Sequence, residues 1–473
     1  MDAGPGVGRV RKVMKFGGTS VKDAERMRRV VDLALKERAD GHEVALVASA
    51  VTGVTNALVK MVTPPPQEGQ VDGHIQALEG VHLTIARDLF GPEGEAHRAA
   101  AEEAVLRHLS RLRKVVQGIV YTEELTPRTR DLVLSFGERM SCTLLHHAFE
   151  ARGGNSVLLE SDQIGLMTDG KFGLATPLLP QVEKNFRRTV VPHLESGRLP
   201  VITGFFGQDA QLHAVTFGRG GSDYAAAIVA YGVDADACEI WTDVDGFMTC
   251  DPRLIPEAEL IAETSYEAAA ELAYFGAKVL HARTVEPVEL KGIPIHIKNT
   301  YRPEAPGTWI VEEAKETGRV MSAIAYKDRL ASLRLYGPGL SFAPETFARI
   351  VQTIAALDIP LYAISTSASN VVLLVDSDEA QRAEASLESM RADAIDRLYR
   401  SDNLALICCV GERMAKTPGL AARVFGVIGR EGVNLEMISE GGSPVAVNFA
   451  VRQDSLAAAV RVLHREFFGP PGA

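Results

Sequence analysis

The chain has 473 residues, of which 46% are hydrophobic and 23% are charged, and its formal net charge is −11. This length exceeds what one hydrophobic core usually serves, so roughly two to four domains are expected, and the composition excludes wholesale disorder. The negative charge argues against a general nucleic-acid binder. No stretch approaches the roughly 18 continuous apolar residues of a membrane helix, so no membrane partner is predicted.

The N-terminal segment and the cysteines predict a cytoplasmic protein. Residues 1–10 lack the apolar centre of a signal peptide and are predicted to form a flexible tail. The histidines show no metal-binding spacing, so no protein metal site is predicted. The five cysteines form no CxxC pair and are expected to be buried thiols of a reducing compartment; they are Cys142, Cys238, Cys250, Cys408 and Cys409.

Short apolar runs alternate with helical patterns through the first three hundred residues. The alternation predicts an α/β fold, a mostly parallel sheet with helices on both faces. A Pro-rich stretch at 63–70 interrupts it, and a mainly helical excursion follows to about Gly118. The predicted strands are RKVMKF, EVALVASAV, NSVLLE, LPVITGFFG, ACEIWTDV and IPIHIKN, and the predicted helices include AERMRRVVDLALKERA, DYAAAIVAYGV and SYEAAAELAYFGAKVLHART.

The last part of the chain contains an internal repeat. PETFARIVQTIAALDIPLYAIS, which begins at Pro344, matches PGLAARVFGVIGREGVNLEMIS, which begins at Pro418, so the offset is about 74 positions. Each copy reads as a strand, a turn, a helix and two further strands. The pattern predicts two small α+β modules of one kind, which need each other or a partner chain to cover their sheets.

Two Gly-rich stretches are placed where strands should end, and ligands of open parallel sheets bind at that edge. In KFGGTS, Lys15 supplies a positive charge, and glycines let backbone amides approach phosphate oxygens; the alternative is an ordinary strand-to-helix turn. In TFGRGGSDYAAA, Arg219 suits a carboxylate, and Asp223 either orders phosphate-binding lysines or caps the following helix.

Two further stretches carry charge into the same region. WTDVDGFMTCDPR follows a predicted strand and is either part of a site or an Asp- and Gly-rich loop. Its DxDG start lacks the closing glutamate of a calcium loop. In FGAKVLHAR, Lys278 has an apolar helical context, where a lysine either reaches solvent or faces an anion.

The order of these stretches resembles that of one enzyme family. KFGGTSV, SFGERMS, TGFFG, GRGGSDYAAA, WTDVDGFMTCDPR and SYEAAAELAYFGAKVLH follow one another as in aspartate kinases, within the amino-acid kinase superfamily. The two small modules look like that family's ferredoxin-like ACT regulatory domains. The resemblance implies an amino-acid kinase catalytic domain at 11–312, a first ACT module at 318–400 completed by the C-terminal segment, and a second at 401–470.

The resemblance also implies an activity and roles for individual residues. Such enzymes transfer the γ-phosphoryl group of ATP to the β-carboxylate of L-aspartate, with Mg²⁺ held mainly through the ATP phosphates. The implied catalytic residues are Lys15, Asp223 and Lys278. The implied aspartate-binding residues are Ser49, Thr55, Glu138, Phe205, Thr216, Arg219 and Ser222. The implied nucleotide-binding residues are Lys15, Gly17, Gly18, Thr242, Asp243, Met248, Asp251, Arg253 and Lys278.

Within these assignments, Arg219 is expected to hold the α-carboxylate of aspartate and Glu138 its ammonium. Each has a structural alternative. Glu138 could be an ordinary helix-surface glutamate, Thr55 a helix N-cap, and Arg253 a partner of Asp251 in a turn.

The regulatory half implies a lysine or threonine effector, with Met437, Ile438 and Ser439 near its pocket, and a homodimer or homotetramer formed through the ACT modules. The sequence departs from the family pattern at Ala282, at Met248, in the GPGLSFAPET turn and between Glu440 and Pro444. These departures leave feedback sensitivity open.

Two other functions remain open at this stage. One is a different kinase of the superfamily, acting on N-acetylglutamate or glutamate, although Glu138 argues against an acylated amine. The other is an amino-acid-sensing regulator that has kept the fold and lost turnover.

Overall fold

The computed structural model describes residues 10–276, 279–315, 318–337, 340, 344–390, 395–439 and 441–469. Within those ranges, no helix combines the length and the apolar character that crossing a bilayer requires. The described residues divide into two compact units. The first takes in residues of Met1–Phe247 and Val279–Glu312, and the second takes in residues of Met248–Lys278 and Glu313–Ala473.

The strands follow one another along the chain in two groups. Those of the first three hundred residues or so are β1 (Arg11–Phe16), β2 (Glu43–Ala48), β3 (Ser156–Leu159), β4 (Leu199–Thr203), β5 (Phe206–Gln208), β6 (Ala214–Thr216), β7 (Ala237–Thr242), β8 (Glu263–Ser265), β9 (Ile295–Asn299) and β10 (Thr308–Val311). The later ones are β11 (Ala323–Tyr336), β12 (Ala363–Thr366), β13 (Asn370–Asp376), β14 (Arg397–Val410), β15 (Met437–Ser439) and β16 (Ala446–Arg452).

The helices separate these strands. The first ten are α1 (Ala24–Ala39), α2 (Val54–Val62), α3 (Val71–Leu89), α4 (Glu95–Thr122), α5 (Pro127–Ala151), α6 (Leu179–Thr189), α7 (Val191–Glu195), α8 (Gly221–Gly232), α9 (Tyr266–Tyr274) and α10 (Val285–Glu289). The last four are α11 (Pro344–Ala355), α12 (Ser377–Glu388), α13 (Leu420–Arg430) and α14 (Leu456–Phe468).

A mostly parallel sheet organises the first unit. Its strands lie in the order β3, β4, β2, β1, β7, β9 and β10, and only β10 pairs antiparallel in this run. The central strands are apolar and buried, as strands covered on both faces must be. The α/β fold predicted from the alternation of strands and helices is therefore confirmed.

Local sequence explains where several helices begin. Asp23 caps α1 by accepting a hydrogen bond from the amide of Arg26, and Thr126 caps α5 in the same way, with Pro127 at the first helical position. The helical excursion predicted after the Pro-rich stretch is present as α3 and α4, although α4 continues to Thr122.

One predicted helix is too long. The run that begins SYEAAAELAYFGAK was predicted to be one helix as far as Thr284, but α9 ends at Tyr274. Gly276 has a positive φ of 125°, and a Cβ there would meet the Tyr326 carbonyl oxygen at 2.0 Å. A close backbone approach therefore ends the helix in spite of its alanine-rich sequence. Lys278, predicted to lie in this helix, falls outside the described residues.

The second unit contains the repeat. Both copies have the order strand, helix, strand, strand, helix, and their six strands form one sheet in the order β12, β13, β11, β14, β16 and β15. The long strands β11 and β14 pair along both halves. One apolar cluster lies under α11 and α12, and another lies under α13 and α14. The sharing of one sheet agrees with the expectation that neither copy covers its strands alone.

The second unit also includes a segment that precedes the repeat. Cys250 and Ile255 belong to the apolar cluster under α13 and α14, together with Met321 and Ile324. The predicted catalytic span of 11–312 therefore contains a stretch, Met248–Lys278, whose contacts group with the C-terminal repeat. The division of the chain into functional domains remains a prediction.

Candidate active site

The predicted site residues of the first unit lie where its central strands end. β1, β2, β4 and β7 run parallel, so their carboxyl ends meet at one edge of the sheet. The residues that belong to these ends, or to the loops and helix starts that follow them, are Lys15, Gly17, Gly18, Ser49, Thr55, Phe205, Thr242 and Asp243.

Lys15 and Asp223 form an ion pair at this edge. Lys15 is the penultimate residue of β1 and only 7% exposed, and its Nζ contacts a carboxylate oxygen of Asp223 in the first turn of α8. The N-cap of α8 is Gly220, so the alternative of Asp223 as a helix cap is wrong. A buried ammonium needs such a partner, and the carboxylate fixes where the ammonium points.

The glycines after β1 allow a close packing of backbones. A Cβ on Gly18 would lie 3.0 Å from the Ala50 carbonyl oxygen, and one on Gly17 would lie 3.4 Å from Lys15 Nζ. The Gly17 amide donates a long hydrogen bond of 3.4 Å to the Trp241 carbonyl oxygen. Backbone that carries no side chain therefore lies beside the Lys15 ammonium. Accessible backbone amides next to a positive charge form an arrangement that binds phosphate oxygens.

Glu138 is a buried carboxylate that is only partly bonded. It lies in α5, is 2% exposed, and its Oε1 accepts a hydrogen bond of 3.1 Å from the Ala50 amide. Among the described residues, its Oε2 has no hydrogen-bond partner. The alternative of an ordinary surface glutamate is therefore wrong.

The environment of Glu138 combines burial with positive charge. Burial raises the pKa of Glu138 to about 8, against the opposing effects of the Ala50 amide and of the Arg139 and Lys15 charges. The neighbouring Arg139 forms ion pairs with Glu160 and Asp162 instead. Because a buried carboxylate is costly without a cation, Glu138 is suited to receive one from a ligand.

Ser49 and Thr55 lie on the segment that joins β2 to α2. The Ser49 amide donates to the Phe16 carbonyl oxygen at 3.1 Å, and its own carbonyl oxygen accepts from Ser141 Oγ of α5 at 2.7 Å. Thr55 is in the first turn of α2, whose N-cap is Gly53, so the alternative of Thr55 as the cap is wrong. The aspartate-binding roles of both residues remain predictions.

Phe205, Ser222 and Arg219 surround the start of α8. Phe205 has a positive φ of 71°, unusual for a bulky residue, and a Cβ on Gly221 would lie 2.9 Å from its ring. Ser222 lies against Gly204 at the end of β4. Arg219 is exposed, and within the described ranges its guanidinium has no ion-pair partner. It is therefore available for an anion from solution.

The sequence interpretation missed Asp131, whose carboxylate binds the predicted residue Thr216. Thr216 is 1% exposed, and its hydroxyl donates to Asp131 Oδ1 at 3.0 Å while its amide donates to Asp131 Oδ2 at 2.7 Å. Asp131 precedes Glu138 by seven residues, two turns of α5. An acidic pair at this spacing shares one helix face, and this signal was available in the sequence.

The predicted nucleotide-binding residues are divided between the two units. Thr242 and Asp243 follow β7 in the first unit, and Thr242 Oγ1 donates to Asp243 at 3.3 Å. Met248, Asp251 and Arg253 group with the second unit, and Lys278 falls outside the described residues. The nucleotide roles therefore remain predictions.

Asp251 and Arg253 are engaged with each other. The Arg253 guanidinium donates to both oxygens of Asp251, at 2.6–3.1 Å, and Tyr326 Oη of β11 donates to the same carboxylate at 2.8 Å. These contacts lower the pKa of Asp251 to about 2. The structure thus supports the turn pairing that was the alternative for Arg253.

The predicted effector residues lie on the edge strand β15. Met437 lines a cavity of about 420 Å³ in the second unit, whose wall also includes Arg334, Tyr336, Tyr399 and Glu436. Ile438 is exposed and Ser439 is half-buried. The charged side chains of the lining are Arg334, Arg400 and Glu436, and two tyrosine rings also line it.

In the part of the chain that the structure describes, no group of three or more histidine, cysteine, aspartate or glutamate side chains converges.

Comparison with known proteins identifies the family. The profile of the amino acid kinase family matches residues 10–299, and that of the ACT domain matches residues 407–467. Aspartokinase 2 of Arabidopsis thaliana, a chloroplastic protein, is 31% identical over 96% of this chain and 84% of its own length. A bifunctional aspartokinase/homoserine dehydrogenase of Buchnera aphidicola is 27% identical over 97% of this chain, which spans only 56% of that relative.

Solved structures agree with the sequence matches. E. coli aspartokinase III in complex with aspartate and ADP, in the R-state, superposes with a TM-score of 0.82 at 29% identity, over 97% of this chain and 99% of that one. The same enzyme with lysine and aspartate, in the T-state, gives a TM-score of 0.80 over the same shares. The fold, the grouping of charged residues at the sheet edge and these matches together show that the chain belongs to the aspartokinase family of amino acid kinases and carries an ACT domain.

Proposed function

We propose that the protein is an aspartate kinase, which transfers the γ-phosphoryl group of ATP to the β-carboxylate of L-aspartate and forms 4-phospho-L-aspartate and ADP. Its family membership and its likeness to an aspartokinase that binds aspartate and ADP support this activity. The reaction is the first step toward lysine, threonine and methionine.

The observation that carries the proposal is the half-bonded carboxylate of Glu138. Its Oε1 is taken by the Ala50 amide, and its buried Oε2 has no partner among the described residues. A free ammonium satisfies that oxygen, whereas the acylated amine of N-acetylglutamate brings no charge. The site therefore favours an amino acid with a free α-amino group.

In the proposed reaction, an aspartate β-carboxylate oxygen attacks the γ-phosphorus, and the bond to the bridging β,γ-oxygen breaks with its electron pair leaving on ADP. No general base is required, because an ordinary aspartate carboxyl has a pKa of about 3.9 and is ionised at neutral pH. Lys15 stabilises the charge on the transferring phosphoryl oxygens, and Asp223 holds the Lys15 ammonium in position.

Magnesium fits this scheme as an ion held by the substrate. Phosphate oxygens with water are ligands that Mg²⁺ accepts. When bound, Mg²⁺ would neutralise part of the charge of the ATP phosphates.

A direct test measures ADP release with aspartate and glutamate side by side. The product is an acyl phosphate, so hydroxylamine should trap it as a hydroxamate. Aspartate-dependent ADP release with hydroxamate formation is expected. Preference for glutamate would indicate another amino-acid kinase, and calorimetric binding of aspartate without turnover would indicate a sensor.

Arg219→Ala should mainly raise the KM for aspartate. The exposed guanidinium has no ion-pair partner in the described part of the chain, so its loss removes a bidentate contact with the α-carboxylate and disturbs little else. We expect an increase of about 10- to 100-fold in KM with a smaller change in kcat. Initial rates at varied aspartate measure this, and a large fall in kcat at unchanged KM would contradict the role.

We also propose that an amino acid regulates the enzyme through the second unit. The cavity beside Met437 offers Arg334 for a carboxylate and Glu436 for an ammonium, which are the two charges of any free amino acid. We also propose that the first repeat is an ACT module like the second. The assembly is proposed to be a homodimer or a homotetramer. Light scattering of the purified protein measures the assembly.

Arg334→Ala should weaken inhibition by the effector while the rate without effector stays unchanged. Initial rates with lysine and threonine, alone and together, identify the effector in the wild type. Arg382→Ala is the matched control, because Arg382 is an exposed arginine of α12 that does not line the cavity. Inhibition that is equally strong in both variants would refute the proposed site.

A further inference from the structure

Asp131 joins three parts of the first unit through one buried carboxylate. It is a residue of α5 and is 1% exposed. Its Oδ2 accepts hydrogen bonds from the amides of Gly173, at 2.8 Å, and Thr216, at 2.7 Å. Its Oδ1 accepts from Thr216 Oγ1 at 3.0 Å. One side chain thereby ties α5 to the end of β6 and to the loop after β3.

These contacts continue to the arginine predicted to bind aspartate. Thr216 ends β6, three residues before Arg219. Gly218 has a positive φ of 78°, and a Cβ there would lie 2.7 Å from the Gly173 carbonyl oxygen. The loop that Asp131 holds through Gly173 therefore lies directly against the residue that precedes Arg219.

Further hydrogen bonds strengthen the same junction. The Ala175 amide donates to the Thr216 carbonyl oxygen at 3.0 Å, and Arg283 donates to the Ala175 carbonyl oxygen at 2.9 Å. The Phe217 amide donates to the Phe205 carbonyl oxygen at 2.9 Å. The backbone that leads into Arg219 is thus hydrogen-bonded on both sides, and the carboxylate of Asp131 accepts two of the bonds made by Thr216.

The same helix also presents Glu138. Seven residues of α-helix separate Asp131 from Glu138, a rise of about 10 Å, so both lie on one face two turns apart. The helix α5 therefore positions Glu138, which is suited to the ammonium. Through Asp131 the same helix also positions the end of β6, which leads to Arg219, the residue suited to the α-carboxylate.

We propose that Asp131 is a positioning residue for aspartate binding: it fixes the Thr216–Arg219 segment relative to Glu138, so that both groups meet the substrate at the correct separation. This inference rests on the proposed function. Asp131 acts through Thr216 and Gly173 and does not itself contact the substrate.

Three variants separate positioning from simple packing. Asp131→Ala removes the acceptors of the half-buried Gly173 amide and the buried Thr216 amide. Asp131→Asn keeps all three hydrogen bonds. The oxygen of its side chain can accept from both backbone amides, while its NH₂ group donates to Thr216 Oγ1. Asp131→Glu keeps a carboxylate but moves it by about 1.5 Å, the length of one added carbon–carbon bond.

We expect Asp131→Ala to raise the aspartate KM about 10- to 100-fold, with the ATP KM unchanged and kcat per folded enzyme within about threefold. Asp131→Asn should restore the aspartate KM to within about threefold of the wild type. Asp131→Glu should raise it about tenfold. The Asp131→Glu result decides the matter should Asp131→Ala fail to fold.

Asp209→Ala is the matched control. Asp209 is a buried aspartate on the β5–β6 hairpin, and it accepts from Gln211 and His213 at the turn, the end opposite Thr216. Its variant should leave the aspartate KM unchanged. The inference is overturned if Asp131→Ala raises the KM values for ATP and aspartate equally, if it lowers only the folded fraction, or if Asp131→Glu binds aspartate normally.

The inference and the proposed function fail differently. A wild-type protein that releases no ADP in the presence of aspartate refutes the function. An active wild type whose aspartate KM is insensitive to Asp131 refutes only the positioning role.

Discussion

Replacement of Lys15 by alanine is expected to lower kcat about 10³-fold while the aspartate KM changes little. The Lys15 ammonium is held by Asp223 beside the backbone of Gly17, and in the proposed reaction it faces the transferring phosphoryl group. A donor that acts only in the transition state affects kcat more than ground-state binding. Initial rates at varied aspartate and ATP measure the effect.

The chain offers a close control for this variant. Lys12 lies on the same strand, three residues earlier, and it pairs with Glu37 and Glu239. Because three positions on a strand place two side chains on opposite faces, Lys12→Ala should leave kcat unchanged. A raised aspartate KM with normal kcat in Lys15→Ala would show that Lys15 binds the substrate without stabilising the transition state.

Much of the first unit could be predicted from sequence because its signals are local. RKVMKF and the sixteen residues of α1 appear with the predicted bounds, since a continuous apolar run and a helical period each specify one element. The ion pair between Lys15 and Asp223 joins residues 208 positions apart in sequence. The sequence placed both residues at the edge to which a parallel sheet brings the ends of its strands, but it left Asp223 either as a partner of phosphate-binding lysines or as a helix cap.

Other features depend on contacts that no local pattern contains. The overlong prediction for α9 followed its alanines, whereas the close approach of Gly276 to the Tyr326 backbone, fifty residues later, ends the helix. Likewise Cys250 and Ile255 look like parts of the catalytic domain in sequence, yet they pack in the apolar cluster under α13 and α14. Tertiary packing therefore determines both where α9 ends and which apolar cluster contains Cys250 and Ile255.

The candidate site also combines features that the sequence indicates with features that only the folded structure shows. Family motifs indicated Glu138 as a ligand-binding residue, but only the folded structure shows that its Oε2 has no hydrogen-bond partner among the described residues. Asp131 carried a weak signal, an acid two helical turns before another acid. Nothing in its sequence indicated that its partners are the amides of Gly173 and Thr216.

Glu138→Gln is expected to weaken aspartate binding and, at the same time, to stabilise the fold at alkaline pH. In the wild type, burial raises the pKa of Glu138 from 4.5 to about 8 in the folded state. Between these two values the folded state binds more protons than the unfolded state, so the free energy of unfolding falls as the pH rises. Glutamine does not ionise, so at pH 8 the variant should have a higher melting temperature than the wild type.

The same carboxylate predicts how aspartate binding depends on pH. Below pH 8 the carboxyl group must lose a proton before it can pair with the substrate ammonium, so the wild-type KM for aspartate should fall about 50-fold in total between pH 6 and 8, with the steeper part of the fall below pH 7. In Glu138→Gln this dependence should vanish, and at pH 8 the KM should be about 30- to 1000-fold higher, since a buried charge pair is lost.

Two measurements test this coupling of stability and binding. Calorimetry in buffers of different ionisation enthalpy should detect the release of about one proton when aspartate binds wild-type enzyme at pH 6.5, and none with Glu138→Gln. Glu150→Gln is the control, because Glu150 lies in the same helix and accepts from the Ser156 amide. A wild-type KM that does not vary between pH 6 and 8 would show that Glu138 is already ionised in the free enzyme, and its unpartnered oxygen would then need another cation.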